Sequence, residues 1–464
     1  MIYIVTYQDL LEVGENEQNR MDFVRGVINS YKGSEGYKMA VIADEYDRHR
    51  NHTIRLYEKV LYDMAGRARP DPYSANFKIA SRFFNRFIVQ EVQYLLGNGV
   101  TWGSGAADGK LGKDFDTRLQ DIAHKALVGG VAFGFFNVDH VDVFSAMEFA
   151  PLFDEENGAL SAGVRFWQLA ANKPMRATLY ELDGYTDYIW KDGKGEILHD
   201  KRPYIVSRIY TDAMDVDIYE GRNYPGFPII PLYGNPAHQS ELIGLWEQID
   251  AYDLIKSGFA DDLDDIASVY WTLRKAGGMD DVDLAEFVRR LRNLHAVTDT
   301  NEEMIAEPHV VDLPYAGREA LLDRLRADLY DDAMALDVKE IASGATTATQ
   351  IRAAYEPLDL KTTQLEYCLL DFISGLLAVA GVEDEATFTR SRIVNTNEEV
   401  LTLTAASMYL PEEYITEKIL TVLGDGDRAD EIIKQMAADN LKMPKETEEE
   451  PETAEEEIEA EEEV

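Results

Sequence analysis

The chain has 464 residues, 86 Asp/Glu against 45 Lys/Arg, and a formal net charge of −41 at pH 7. Hydrophobic content of 45% and aromatic content of 10% supply real cores and exclude a disordered chain, and the length suggests about three domains. One cysteine, Cys368, excludes an intrachain disulfide framework and suits an intracellular compartment, and so negative a chain is a poor candidate for tight phosphate binding, which wants Lys and Arg.

The order of elements is read from periodicity. Residues 1–70 read as polar helices at Tyr7–Leu11, Asn19–Tyr31 and Glu35–Tyr62, and Asp71-Pro72 marks a break. Met1-Ile-Tyr-Ile-Val is too short for a secretory h-region, so no signal peptide is expected. Ala75–Leu96 is predicted as one amphipathic helix, with Ile79, Phe83, Phe87, Val92 and Leu96 near helical spacing and Gly97-Asn98-Gly99 as its stop. Phe83, Phe84 and Phe87 read as core. Asp116–Val128 is a further helix, ended by Gly129-Gly130.

From Val131 to Ile230 the pattern turns to strands: Ala132–Val138, Val141–Phe144, Gly163–Leu169, Met175–Leu182, Thr186–Trp190 and Arg208–Ile209. The run Tyr224-Pro-Gly-Phe-Pro-Ile-Ile-Pro-Leu-Tyr carries three prolines, which favour an extended edge. A long helix is predicted from an N-cap at Ser240 to Ile266, roughly 40 Å at helical rise, with Leu242, Leu245, Ile249, Tyr252, Phe259 and Leu263 on its apolar face. A compact interruption follows, with a strand at Val269–Lys275, a helix at Asp283–Leu294 and a strand at His309–Leu313. Arg289, Arg290 and Arg292 form a basic cluster on that helix, either paired with Asp283 or Glu286 at helical spacing or facing an acidic partner or neighbouring subunit.

The second long helix runs from about Gly317 to Ala342, with Leu322, Leu325, Leu329 and Leu336 on one side. Periodicity stops between Ile341 and Gln350, and a third helix starts near Thr349 and carries the apolar run Leu369–Ala380. Cys368 reads as a reduced core residue in that run. Gly381–Asn397 is a connection with an extended piece at Phe388–Val394. Helices at Glu398–Ser407, Pro411–Leu423 and Arg428–Ala438 come next. From Glu446 to Val464 there are twelve glutamates and no base, so 441–464 is expected to be a disordered acidic tail. No run approaches about 18 uninterrupted apolar residues, so no membrane partner is expected.

No enzyme signature is found. The chain has no G-x-x-x-x-G-K-[ST], H-E-x-x-H or G-x-S-x-G, and no Cys/His metal spacing; Gly109-Lys-Leu-Gly112-Lys113 lacks the phosphate-loop spacing. Asp261-Asp262 and Asp264-Asp265 are helix neighbours that point apart, so no one-chain metal site and no cofactor are expected. The residues thus leave a non-enzyme, for which a helical scaffold or adaptor is one reading.

Several stretches, in order, resemble the portal (head-tail connector) proteins of tailed siphophages. They are Asn76-x-Lys78 with Tyr94-Leu-Leu-Gly97, Arg165-Phe-Trp with Arg176-Ala-Thr-Leu-Tyr-Glu, and Asn235-Pro-Ala-His through Asp253 with Ser257 and Asp261-Asp262. Ser343-Gly344 with Ala348-Thr-Gln-Ile351 and Tyr355 completes the series. The resemblance implies a mixed α+β, mainly helical, ring-forming portal fold, usually of about twelve subunits. It divides the chain into a wing (1–239), a first stem helix (240–266), a clip (267–314), a second stem helix (315–342), a channel loop (343–349), a long wing-to-crown helix (350–380), a crown (381–440) and the acidic tail (441–464). It implies a channel for double-stranded DNA, without sequence specificity, at one capsid vertex of the virion, assembled in the host cytoplasm. The partners it implies are the terminase large subunit, a head-tail adaptor, scaffold and major capsid protein. On that reading Ser343, Gly344, Ala345, Thr346 and Thr347 face DNA, and Lys339 and Arg352 are candidate phosphate contacts. Asp250, Asp253, Asp261 and Asp264 form an acidic, sliding channel wall, and Arg289, Arg290 and Arg292 make clip contacts.

Overall fold

A computed structural model of the chain describes residues 5–62, 66–71, 75–191, 193–211, 216–265, 270–274, 305–309, 315–339, 348–391, 396–424 and 426–440. The expected helix at 283–294 with Arg289, Arg290 and Arg292, the residues Ser343, Gly344, Ala345, Thr346 and Thr347, and the tail 441–464 lie outside the described residues. The architecture is mixed α+β. The described residues form a large unit, up to 339 and 352–391, and a small one, 348–351 and 396–440.

The large unit opens with α1 (Tyr7–Val13), α2 (Glu17–Gly33) and α3 (Glu35–Asp47). Local chemistry starts each of them. Thr6 and Asp9 form a capping box, Asn16 accepts from the Asn19 amide at 3.1 Å, and Ser34 accepts from the Tyr37 amide at 3.2 Å. The helix predicted over 35–62 stops at Asp47, where His49 takes φ +60°. A short α4 (His52–Leu56) and the hairpin β1 (Val60–Tyr62) with β2 (Ala68–Pro70) replace the rest. The helix predicted from Ala75 begins only at Phe83 as α5 (Phe83–Leu96), and 75–82 is non-helical. β3 (Val100–Trp102) and α6 (Phe115–Gly129) follow.

Strands β4 (Val131–Asn137) and β5 (His140–Ser145) form a hairpin. Next comes an antiparallel meander of β6 (Phe149–Phe153), β7 (Leu160–Trp167), β8 (Met175–Glu181), β9 (Gly184–Lys191) and β10 (Lys194–Arg202). A separate hairpin joins β11 (Ile205–Thr211) and β12 (Val216–Arg222). The proline-rich run contributes β13 (Ile229–Tyr233), which pairs with β4 at the edge of a three-stranded sheet, where Pro231 faces Phe133. This is the edge position that the prolines favoured. β6, β10 and β12 were not predicted.

Ser240 does not cap a helix. It is buried, its hydroxyl accepts from the Leu242 amide at 3.2 Å, and a turn with Gly244 at φ +90° delays the first long helix, α7 (Trp246–Asp265). β14 (Tyr270–Arg274) pairs with β15 (Ile305–His309). The return strand therefore lies earlier than the expected 309–313, with Tyr270 opposite His309. The second long helix, α8 (Tyr315–Asp332), ends ten residues before the expected Ala342, because Met334 takes φ +52°. α9 (Ala348–Ala380) is the third, and β16 (Ala386–Phe388) pairs with β3.

Three cores hold the large unit. α5, α6 and α9 bury Phe84, Ile88, Ile122, Leu369, Phe372 and Leu376 together. α2 buries Val24 and Ile28 on the meander, against Leu152, Val164 and Leu179. Phe133, Phe135, Phe144, Phe149 and Tyr180 form an aromatic core between the two sheets. α9 approaches β4 so closely that a Cβ on Gly134 would stand 2.5 Å from the Phe372 ring. The helix segment Gln350–Ala380 is long enough, and its most apolar 18-residue window, with mean hydropathy 1.3, apolar enough, to pass for a membrane span. Here that helix spends its apolar face on the largest core. Cys368 is free and only half-buried, packed against the edge of the core and not inside it.

The small unit contains α10 (Thr396–Ala406), α11 (Glu412–Leu423) and α12 (Ala429–Asn440), close to the predicted spans. Among its described residues Ile415 and Ala429 are buried, while Met408 and Tyr409 are exposed.

Candidate nucleic-acid interface

α7 is the axis on which the site is built. Asp253, Ser257 and Asp261 recur at i, i+4 and i+8, so they share one helix face. The Asp253 carboxylate accepts from the Ser81 amide at 2.9 Å, the Ser257 hydroxyl from the Ile79 amide at 3.0 Å, and the Asp261 carboxylate from the Phe77 amide at 2.6 Å. Every second amide of 77–81 is thus taken by every fourth side chain of α7. The match is metric: four helical residues rise about 6.0 Å, and two extended residues about 6.6 Å. These bonds compensate 75–82 for not becoming helix.

Asn51 donates from its side-chain amide to Asp253 and to the Ser81 carbonyl, the latter at 3.2 Å; Asp250 accepts from the hydroxyls of Tyr46 and Thr53, the latter at 2.6 Å. Lys59 pairs with Asp261 at 3.0 Å. Burial pushes the Asp253 carboxyl up from 3.8 to about 6, against the pull of Asn51 and Ser81.

The opposite face of α7 holds α8. Asp262 pairs with Arg318, Gln248 donates to Asp332, and the rings of Phe259 and Tyr315 lie 5.6 Å apart. Beyond α8 the chain is pinned before it reaches residue 340. Gln90 of α5 donates to the Leu336 carbonyl and accepts from its amide, both at 3.1 Å. Arg326 pairs with Asp337 at 2.7 Å and holds that carboxyl below its usual range despite partial burial.

Lys361 of α9 is clasped by Glu91 at 2.9 Å and Glu241 at 3.0 Å, and donates to the Ala333 carbonyl at 3.3 Å. Burial works against both partners' charge and raises the Glu91 carboxyl; for Lys361 the two carboxylates outweigh burial and raise the ammonium. On the far side of 340–347, Tyr355 of α9 is buried and stacks on Tyr94 at 5.5 Å. The segment 340–347 is therefore flanked by two firmly seated anchors. Sequence reasoning missed Gln90, Glu91, Glu241 and Lys361, because their partners lie far apart in the chain. The Asp253/Ser257/Asp261 spacing was a signal that could have been read.

The expected site residues fall in different places. Lys339 is exposed, and its amide donates to the Asp337 carboxylate at 3.0 Å; Arg352 is exposed in the first turns of α9. In sequence they stand on either side of 340–347. Asp253 and Asp261 are 0% and 2% exposed. That corrects their assignment to an acidic wall: an acid that satisfies buried amides inside its own chain presents no charge to a channel. Asp250 is partly buried and bonded to Tyr46 and Thr53, so it is equally committed. The Asp264 side chain lies outside the described residues. Among the described residues, no group of three or more His, Cys, Asp or Glu is placed to hold a metal.

A family model described as phage portal protein, SPP1 Gp6-like, matches residues 37–462. The chain belongs to this portal family. It is 24% identical over 250 residues to the portal protein of Clostridium phage phiCD119, a match covering 48% of this chain and 55% of that protein. The portal protein of Bacillus phage SPP1 is 24% identical over 393 residues, covering 75% of this chain and 74% of that protein. Among solved structures, a chain of the virion of the native gene transfer agent (GTA) particle overlaps 74% of this portal-family chain and 90% of its own length, at TM-score 0.41 and 11% identity. A chain of the neck of the empty GTA particle does so at TM-score 0.41 and 12% identity.

Proposed function

We propose that this portal-family chain is the subunit of a closed ring, of about twelve copies, at one vertex of a phage head. Double-stranded DNA passes through the ring during packaging and ejection. In this reading 1–239 is the wing, α7 and α8 are the stem and 267–314 the clip. Residues 343–347 belong to a loop facing DNA, with Lys339 and Arg352 as weak phosphate contacts at its two ends. α9 leads to a crown at 381–440. The terminase large subunit, a head-tail adaptor, scaffold and major capsid protein are its partners, with Arg289, Arg290 and Arg292 at the clip, and assembly takes place in the host cytoplasm. Its role is structural and not catalytic.

The observation that carries the reading is the seating of both ends of 340–347. Gln90 clamps Leu336, Arg326 holds Asp337, and Tyr94 stacks on Tyr355. A loop that touches moving DNA must hand force to a rigid body, and both anchors end on α5, which carries Gln90 for the one and Tyr94 for the other. The test is a packaging assay with purified motor and heads built on altered rings. Replacing 343–347 by a bulky, rigid segment should block translocation or retention while the ring still assembles. Normal packaging and retention would remove the loop from the channel and favour the adaptor reading.

A further inference from the structure

The two flanks of α7 have outer faces of opposite chemistry. The acceptors Asp253, Ser257 and Asp261 and the α8-facing residues Gln248, Phe259 and Asp262 lie on sides of α7 roughly 170° apart, at 3.6 residues per turn. The order in space is therefore 51–82, then α7, then α8. On the first flank Leu56, Tyr57 and Phe77 are 59%, 43% and 47% exposed, beside the exposed Lys78 and Arg82; Arg55 is exposed there too but paired with Glu45 at 2.8 Å. Residues 51–82 hold six Lys/Arg against three Asp/Glu, in a chain whose acids outnumber its bases 86 to 45.

On the other flank, helical spacing puts Ala316, Ala320, Asp323 and Ala327 in one exposed stripe, bordered by Glu319 and Asp331. Arg318 and Arg326 are turned away into pairs with Asp262 and Asp337, and Arg324 is matched by Asp328 at 2.8 Å. Exposed aromatic side chains ringed by charge mark a protein-binding surface.

We infer that the acidic, alanine-lined outer face of α8 in one copy docks on the basic, aromatic 51–82 flank of the next copy. The partner is a second copy because the chain carries both complementary surfaces, on opposite sides of one helix. Repeating such a head-to-tail contact joins identical chains, and it closes when the rotation between them closes. The alanines let the Tyr57 and Phe77 rings and the Arg and Lys stems lie close to the helix, and the carboxylates meet their heads. This inference rests on the ring reading and names the contact that closes the ring.

The test uses the full chain and light scattering. Arg82→Glu and Asp323→Lys should each keep the native circular dichroism and raise the concentration for half-assembly by about tenfold or more. Placing both changes in one chain should restore most of the loss. A second measurement does not depend on those variants folding well. In a Cys368→Ser background, Tyr57→Cys with Ala320→Cys should give a covalent ladder of chains on mild oxidation. A mixture of chains bearing one cysteine each should stop at dimers. Rings that assemble without cross-linking, or with both charge variants indistinguishable from the parent, would overturn this contact and leave the ring standing. A parent chain that stays monomeric at all concentrations would overturn both.

Discussion

The two flanks of α7 are secured by different means. Toward 75–82 the helix offers buried side-chain acceptors to backbone donors, with Asp253 and Asp261 essentially without solvent. Toward α8 it uses a ring contact, an exposed hydrogen bond from Gln248 to Asp332, and an ion pair, Arg318–Asp262, whose side chains are 31% and 34% exposed. An exposed pair is worth about 0–1 kcal/mol and can be remade with water. A buried amide that loses its acceptor costs about 1–3 kcal/mol, because nothing replaces it. The first flank is therefore the fixed seat of α7 and the second the adjustable one. The inner seat holds the register of α7, while the α8 side tolerates change.

The sharpest way to break that contrast is Asp253→Ala. It strips the acceptor from the Ser81 amide and the Asn51 side chain together, at about 2–3 kcal/mol. Hydrogen exchange at the Ser81 amide should quicken by roughly 30- to 100-fold, and an unchanged rate would mean that Asp253 is not what holds the strand. Asp261→Ala should speed the Phe77 amide by less, about tenfold, since Phe77 is 47% exposed and water can take over. Arg318→Ala, on the other flank, should change α7 protection by under about fivefold and lose even that at high salt. If it rivals Asp253→Ala, the two seats are not different in kind.

Acidity gives a subtler test. The Asp253 carboxyl is raised in the folded chain from 3.8 to about 6 by burial. Between those values the folded state binds the extra proton, so Asp253 contributes stability that is fully present below about pH 4 and is lost as pH rises through about 6. Relative to Asp253→Asn, the parent should gain on going from pH 7 to pH 4, by up to about 2 kcal/mol. Parallel melting-temperature profiles for the two proteins over that range would show that the carboxyl titrates at its ordinary value.

What the sequence determined by itself was local. The 3.6-residue periodicity placed α7, α8 and α9 because helix formation couples residues three and four apart. Alternation and proline placed much of the sheet region, including β13 at its edge. The family resemblance was also legible, since it lies in the order of those pieces. Three decisions belonged to tertiary structure. Ala75–Arg82 carries helical spacing, yet α7 supplies acceptors that make a non-helical course cheaper. Asp253 and Asp261 read as solvent-facing because acids on an amphipathic helix ordinarily are, and only the docking of 51–82 buries them. The anchors around 340–347 join Gln90 to Leu336 and Lys361 to Glu91 and Glu241, pairs whose separation in the chain hides them. Burial and long-range pairing are properties of what packs against a residue, and no window of sequence contains both partners.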